Sequence, residues 1–260
     1  MTILDQLAEH ARQRVAAAQK AVPLEDLRRQ AFSLPRGDFR FEKALGKSGL
    51  SFICECKKAS PSKGLIAPDF LYLKIAKEYE AAGADCISVL TEPKWFLGSD
   101  RYLLEIAKTV STPCLRKDFT VDEYMLYEAK LLGASAVLLI CSILTEGQIK
   151  EYLHVCDELG LSALVEIHDE WEAEIALRVG ARIIGVNNRN LKDFSVDMNN
   201  SGRLRSLIPQ NVLFIAESGV RDRQDVARAR DLSADGVLVG EALMRAADKK
   251  AALAELRGGL

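Results

Sequence analysis

The chain has 260 residues, 48% hydrophobic and 28% charged, with 35 Lys and Arg against 37 Asp and Glu for a formal net charge of −2. That composition supports a large core, and a near-neutral chain with scattered basic residues and no aromatic–basic stripe offers no surface for nucleic acid. The longest uncharged apolar stretch, around residues 134–144, is too short for a bilayer, and the amphipathic start MTILDQLAEHARQRV lacks the apolar core of a secretory signal, so a cytoplasmic protein is expected.

Residues 2–21 read as a helix with Ile3, Leu7, Ala11 and Val15 on one face. Pro23 ends it or opens a second short helix over 24–30. Phe32, Leu34, Phe39, Phe41 and Leu45 then form an apolar, turn-rich segment, expected to lie as a lid over the floor or rim of the barrel that the later residues predict. With no long Gly/Ser linker after it, 1–50 is taken as an N-terminal helical extension of a single domain spanning 1–260. From Ser51 eight short apolar runs succeed one another: SFICECK, DCISVLTE, TPCLRKDF, SAVLLI, SALVEIH, RIIGVNNR, VLFIAESG and DGVLVGE. Helix-like segments over 69–82, 100–109, 121–132, 145–159, 169–179, 199–207, 221–231 and 241–256 alternate with them. Asp69, Thr145 and Asp169 are suited to N-caps, and Gly83, Gly133, Gly160 and Gly180 to left-handed C-terminal positions. The 199–207 segment, with Asn199, Asn200 and Gly202, is the poorest helix former. Short buried strands alternating with longer periodic helices predict an α/β protein, a (β/α)8 TIM barrel over 51–260.

In such a barrel the chemistry sits at the C-terminal strand ends. Alternation puts Cys54 and Cys56 on one face of the first strand and Glu55 and Lys57 on the other, the interior. Lys117, Glu166 and Glu217 close the third, fifth and seventh strands, which share interior layers with the first, so four charges converge there. Two readings stand: a structural ring of ion pairs, or a site whose clustered charges serve acid–base chemistry. The barrel-top location favours the second. The loop over 58–68, with Lys58, Ser60, Ser62 and Lys63, reads as an anion-seeking flap or a solvated basic turn. Asn187 and Arg189 end the sixth strand with a hydrogen-bonding amide and a planar fork for an anion. Ser218-Gly219 and Gly240-Glu241 come after strands seven and eight, where barrels hold phosphate on backbone N–H groups. Glu241 must then turn its carboxylate away. Trp95 and Phe96 suit either an apolar wall for an aromatic ring or packing in the helical shell. His10 and His154 read as packing residues, and His168 borders the site. Five of the six cysteines sit in or beside strands as small hydrophobes, and neither they nor the histidines have metal-ligand spacing, so no metal is expected.

Together ECKKASPSKG, VLTEPKWFLGS, LRKDF, LLI with LTE, LVEIHD, IGVNNRNL, AESGV and LVGEALMR, in this order over residues 51–245, resemble the indole-3-glycerol phosphate synthase family. The resemblance implies ring closure of 1-(2-carboxyphenylamino)-1-deoxyribulose 5-phosphate with loss of CO₂ and water, giving indole-3-glycerol phosphate in tryptophan biosynthesis. It implies Lys117 as general acid at the ketose carbonyl, with Glu166 and Lys57 as partners in the dehydration proton transfers. Glu55 and Asn187 would orient and stabilise charged intermediates. Ser60 and Arg189 would surround the substrate anion, Phe96 and Glu217 would contact substrate, and Ser218, Gly219, Gly240 and Glu241 would lie at the phosphate. Glu241 stands where some members carry serine. No cofactor is implied. The expected partner is a small phosphorylated substrate, for a chain acting as a monomer, with association with other tryptophan-pathway enzymes left open. The alternatives are phosphoribosylanthranilate isomerase or another phosphosugar enzyme on the same barrel, and a non-catalytic phosphate-binding barrel. The first would want a carboxylate–cysteine pair at the strand ends, and the second would be expected to lose Lys117 or Glu166.

Overall fold

The structure, a computed structural model, describes residues 2–190, 195–197 and 199–258. Eight parallel strands close a barrel: β1 (Ser51–Cys56), β4 (Cys86–Leu90), β5 (Cys114–Lys117), β6 (Ala136–Ile140), β7 (Ser162–Ile167), β8 (Ile183–Asn187), β9 (Leu213–Glu217) and β10 (Gly236–Val239). Each pairs with its sequence neighbour, and β10 closes on β1 with Ser51 opposite Gly236. All eight expected strands are present. Nearly every strand residue is buried, because the helices cover the outer face while alternate side chains fill the interior. Ile53, Leu115, Leu164 and Ile215 pack inward, whereas Phe52, Cys54 and Cys56 pack outward against helices.

The connections are α4 (Tyr72–Ala81), α5 (Asp100–Thr109), α6 (Tyr124–Leu131), α7 (Glu146–Leu159), α8 (Glu170–Arg178), α9 (Asn199–Arg205), α10 (Arg223–Asp231), α11 (Glu241–Arg245) and α12 (Lys249–Arg257). Thr145 caps α7 with a full capping box, and the Asp169 side chain caps α8. Asp69 does not cap α4. The amides of Leu71 and Tyr72 bond back to the carbonyls of Asp69 and Phe70, which holds that stretch in tight turns, so the helix starts at Tyr72. The last expected helix is two: Asp248 accepts the Ala251 amide and starts α12 afresh. Gly83, Gly133, Gly160 and Gly180 all adopt positive φ.

The N-terminal segment serves both ends of the barrel. It comprises α1 (Ile3–Ala21), α2 (Leu24–Ser33) and α3 (Arg40–Leu45). The segment expected to be turn-rich contains α3, whose Phe41, Ala44 and Leu45 join the interior cluster and plug the floor. Ile3, Leu4 and Leu7 of α1 reach the opposite rim, at the C-terminal strand ends. Arg14 of α1 makes two hydrogen bonds, 3.0 and 2.6 Å, to buried Asp118, next to Lys117 in sequence. His10 meets fully buried Glu92 at 3.1 Å. Behind the floor plug, Gly37 and Gly160 touch backbone to backbone, with the Gly37 amide donating to the Leu159 carbonyl at 2.9 Å.

A Cβ on Gly160 would lie 2.1 Å from the Gly37 carbonyl oxygen, and its φ is +69°. Gly180 has φ +82° but nothing within 4 Å of such a Cβ. Gly180→Ala is therefore expected to cost about 1 kcal/mol from backbone strain, and Gly160→Ala at least about twice that. Thermal unfolding of the two variants measures the difference. Equal midpoints would mean that the extension yields freely at this contact.

Candidate active site

The interior charges meet at the C-terminal mouth. Lys117 Nζ lies 3.1 Å from Glu166 Oε2 and 3.4 Å from Glu217 Oε2. Glu166 Oε1 accepts from Asn187 Nδ2 at 3.1 Å, and Asn187 Oδ1 accepts from the Arg189 amide at 3.0 Å. Lys57 pairs with Glu55, which also takes a 3.4 Å bond from Ser88 Oγ. Two missing side chains make room for this ring. A Cβ on Gly185 would sit 2.0 Å from Glu217 Oε1, and one on Gly240 would sit 2.5 Å from Glu55 Oε1 and 2.9 Å from Lys57 Nζ.

Charge is unevenly shared. Burial alone would discharge Lys117, but the carboxylates of Glu166, Glu217 and Glu55 outweigh it and hold the ammonium above its ordinary pKa. Burial pushes Glu166 up, yet Lys117, His168 and the Asn187 amide bring it below the ordinary value. Glu217 is pushed up to about 7, because burial and repulsion from Glu166 and Glu55 exceed what Lys117 returns. Its Oε1 is buried with no hydrogen-bond partner. One ammonium cannot fully satisfy two buried carboxylates, so Glu217 is driven toward its neutral form while Lys117, His168 and Asn187 favour the charged form of Glu166.

A cavity of about 880 Å³ opens above the ring. Glu55, Lys57, Ser60, Phe96, Lys117, Glu166, Asn187, Arg189, Glu217, Ser218, Gly219, Gly240 and Glu241 all line it. The 58–68 segment is not a plain loop. It folds as a hairpin of β2 (Ala59–Ser60) and β3 (Gly64–Leu65), strapped by the Ala59 amide to the Phe96 carbonyl at 3.2 Å. Its Lys63 Nζ stands 3.8 Å from Glu241, whose carboxylate also takes Arg245 Nε at 3.1 Å. Both cations meet the same oxygen, Glu241 Oε1. Ser218 and Gly219 run in succession at φ +65° and +91°, a tight turn in which a serine in the left-handed region is unusual.

Trp95 does not line the cavity. It packs edge-on against His10, with Lys94 Nζ 4.4 Å from its ring centroid. Phe96 pairs instead with Phe119, ring centroids 6.0 Å apart, on an apolar wall that includes Leu7 and Ile66. Phe119, Arg221, Arg245 and the start of α1 were not anticipated. The apolar stripe on α1 signalled burial but not what it would be buried against. All six cysteines are free and buried, and none lines the cavity. Among the described residues no group of three or more His, Cys, Asp or Glu could hold a metal, and no helix is long and apolar enough to cross a membrane.

The family model for indole-3-glycerol phosphate synthase matches residues 4–256. The chain belongs to the indole-3-glycerol phosphate synthase family. It is 54% identical to the indole-3-glycerol phosphate synthase of Ruminiclostridium cellulolyticum, over 98% of this chain and 99% of that one. It is 52% identical to that of Leuconostoc mesenteroides subsp. mesenteroides, again over 98% and 99%. Among solved structures, a 3-hexulose-6-phosphate synthase superposes with TM-score 0.65 at 17% identity, covering 80% of this chain and 98% of the other. A chain of the tryptophan synthase complex from Pyrococcus furiosus does so with TM-score 0.60 at 17% identity, covering 80% and 98%. At that identity the likeness speaks for the barrel fold alone.

Proposed function

We propose that this chain converts 1-(2-carboxyphenylamino)-1-deoxyribulose 5-phosphate to indole-3-glycerol phosphate, acting as a carbon–carbon lyase. The observation that carries the reading is Lys117, charged and held between two carboxylates at the floor of a cavity with a phosphate-type turn on its rim. The substrate phosphate docks at Ser218, Gly219, Gly240 and Glu241, and its aromatic ring lies against Phe96 and Phe119. As the ring carbon attacks the ketone, Lys117 gives its proton to the developing alkoxide. Loss of CO₂ then proceeds from the strained, non-aromatic adduct. In dehydration Glu166 takes the ring proton and Lys57 protonates the leaving hydroxyl, while Glu55 and Asn187 hold these groups in place. Arg189 and Ser60 face the substrate carboxylate. No step calls for a cofactor.

Burial of every cysteine away from the cavity speaks against the carboxylate–cysteine pair that phosphoribosylanthranilate isomerase chemistry would use. Incubating the purified chain with the carboxyphenylamino ketose phosphate should yield indole-3-glycerol phosphate and one CO₂. No product from that substrate, with turnover of phosphoribosylanthranilate, would select the alternative. The same reading takes the chain as a cytoplasmic monomer acting on a small phosphorylated substrate.

Gly240→Val is expected to lower kcat/KM about 100-fold, because its side chain would enter the space of both Glu55 and Lys57. Both KM and kcat should worsen. A rise in KM alone, with kcat intact, would restrict Gly240 to the phosphate.

A further inference from the structure

His168 lies directly behind Glu166, two residues on along the β7 direction, and it is not among the residues lining the cavity. Glu172 of α8 grips it twice: Oε2 accepts the His168 amide at 2.6 Å and faces ring Nδ1 at 3.2 Å. Glu172 is itself set by the Asp169 cap, which accepts its amide at 2.9 Å. With Nδ1 facing a carboxylate, the ring plane is fixed. The other nitrogen, Nε2, is buried and closes no hydrogen bond, 3.4 Å from Glu166 Oε1. Asn200 Nδ2 holds the His168 carbonyl at 3.2 Å and the Asn187 carbonyl at the same distance, which ties the histidine's backbone to the amide residue on Glu166.

We propose that His168 is a positioning residue for Glu166: as an imidazolium clamped by Glu172, it holds Nε2 3.4 Å from Glu166 Oε1 as a second cation and keeps that carboxylate ionised for proton abstraction. The inference rests on the reading of Glu166 as the base in dehydration. The charged groups facing the ring are Glu166 on its own strand, Glu172 on α8 and Glu217 on β9, with Lys117 on β5 beyond Glu166. Burial would discharge the imidazolium, but Glu172, Glu166 and Glu217 outweigh it and hold its pKa above the ordinary value. The arrangement answers a problem specific to this site. Lys117 is divided between Glu166 and Glu217, so a second cation on the far side of Glu166 decides which carboxylate stays charged.

Three measurements test it. His168→Asn should lower kcat about 10-fold with KM within about 2-fold, and should move the acid limb of the kcat–pH profile upward, because Glu166 loses a positive neighbour. Glu172→Gln removes the clamp and lets His168 discharge at lower pH, so its activity should fall near neutrality and recover toward acid. In a Glu166→Gln background, His168→Asn should add little further loss. A merely structural histidine would lower the thermal midpoint and leave the profile superimposable on the parent's, and that result overturns the proposal. Should His168→Asn not fold, ¹⁵N NMR of the three histidine rings in the unmodified enzyme decides. One ring should titrate above the ordinary histidine value and shift when indole-3-glycerol phosphate is added. Three rings that titrate normally and ignore product overturn it. Full kcat in Glu166→Gln would bring down the reading of Glu166 and this inference with it; an inactive Glu166→Gln beside an unaltered His168→Asn profile brings down this inference alone.

Discussion

Lys117→Met is expected to lose roughly 10²–10⁴-fold in kcat, the range that one general acid typically supplies. The thioether keeps much of the lysine stem's volume, so the barrel should close as before. What changes is the charge around it. Glu166 and Glu217 now face each other with their shared cation gone. Two such carboxylates cannot both stay ionised, so their folded-state pKa values rise above those of the unfolded chain. A carboxyl with a raised folded pKa binds more protons folded than unfolded, so stability is lost as pH rises between the two values. The deficit against the parent should thus be small near pH 4 and grow toward pH 8, read as the difference in thermal midpoints across that range. Near-parental kcat in the folded variant removes Lys117 from the mechanism. A deficit independent of pH would mean that the two carboxylates do not feel Lys117 as the geometry says.

Glu166→Gln should be nearly as damaging, and for two reasons. The amide cannot take a proton as a carboxylate does. It also meets donors on both sides, Lys117 Nζ and Asn187 Nδ2, and can turn its carbonyl oxygen to only one of them. Asn187 cannot simply flip in answer, because its Oδ1 already accepts the Arg189 amide. We expect kcat down about 10²–10⁴-fold with KM little changed. The alkaline limb of the kcat–pH profile should move to lower pH, since Lys117 loses the carboxylate that most raises its pKa. A rise in KM with normal kcat would recast Glu166 as a binding group.

The strands were legible because a strand buried on both faces leaves an uninterrupted apolar run, and the side-chain period of two then assigns each face. On β1 that rule alone separates Cys54 and Cys56, which point outward, from Glu55, which points into the barrel. The strand-end charges were legible for the same reason: Glu166 and Glu217 sit where a buried run would otherwise continue. What escaped the sequence depends on partners far along the chain. The segment around Phe41 reads as a cover for the floor or rim, but nothing near it says that a helix forms there or which of the two ends it closes. The entry of α1 into the site needs Asp118 to receive Arg14, 104 residues away. Arg116 alternates with Lys117 and so faces the helical shell, where the fold buries it against Asp100 and Glu128 at 2.7 and 2.6 Å, partners that the strand's own sequence does not name. The β2–β3 hairpin escaped because a stretch with Pro61 and Gly64 carries turn signals but too few strand residues to show alternation.

The double engagement of the first fifty residues bears on how the chain matures during synthesis. They leave the ribosome before the barrel strands, yet Glu42 of α3 waits 140 residues for its partner Arg182, and β1 waits for β10 before its second edge is covered. At about 5–20 residues per second, the wait for Arg182 alone is roughly 7–28 s. Through that interval the apolar face of α3 has only part of its native cover, lacking Ile183, Ile215 and Leu238, and one edge of β1 has none. A nascent chain arrested before β10 would therefore be a natural client for a holdase, and the last strand to emerge would decide when the first helices become part of a working enzyme.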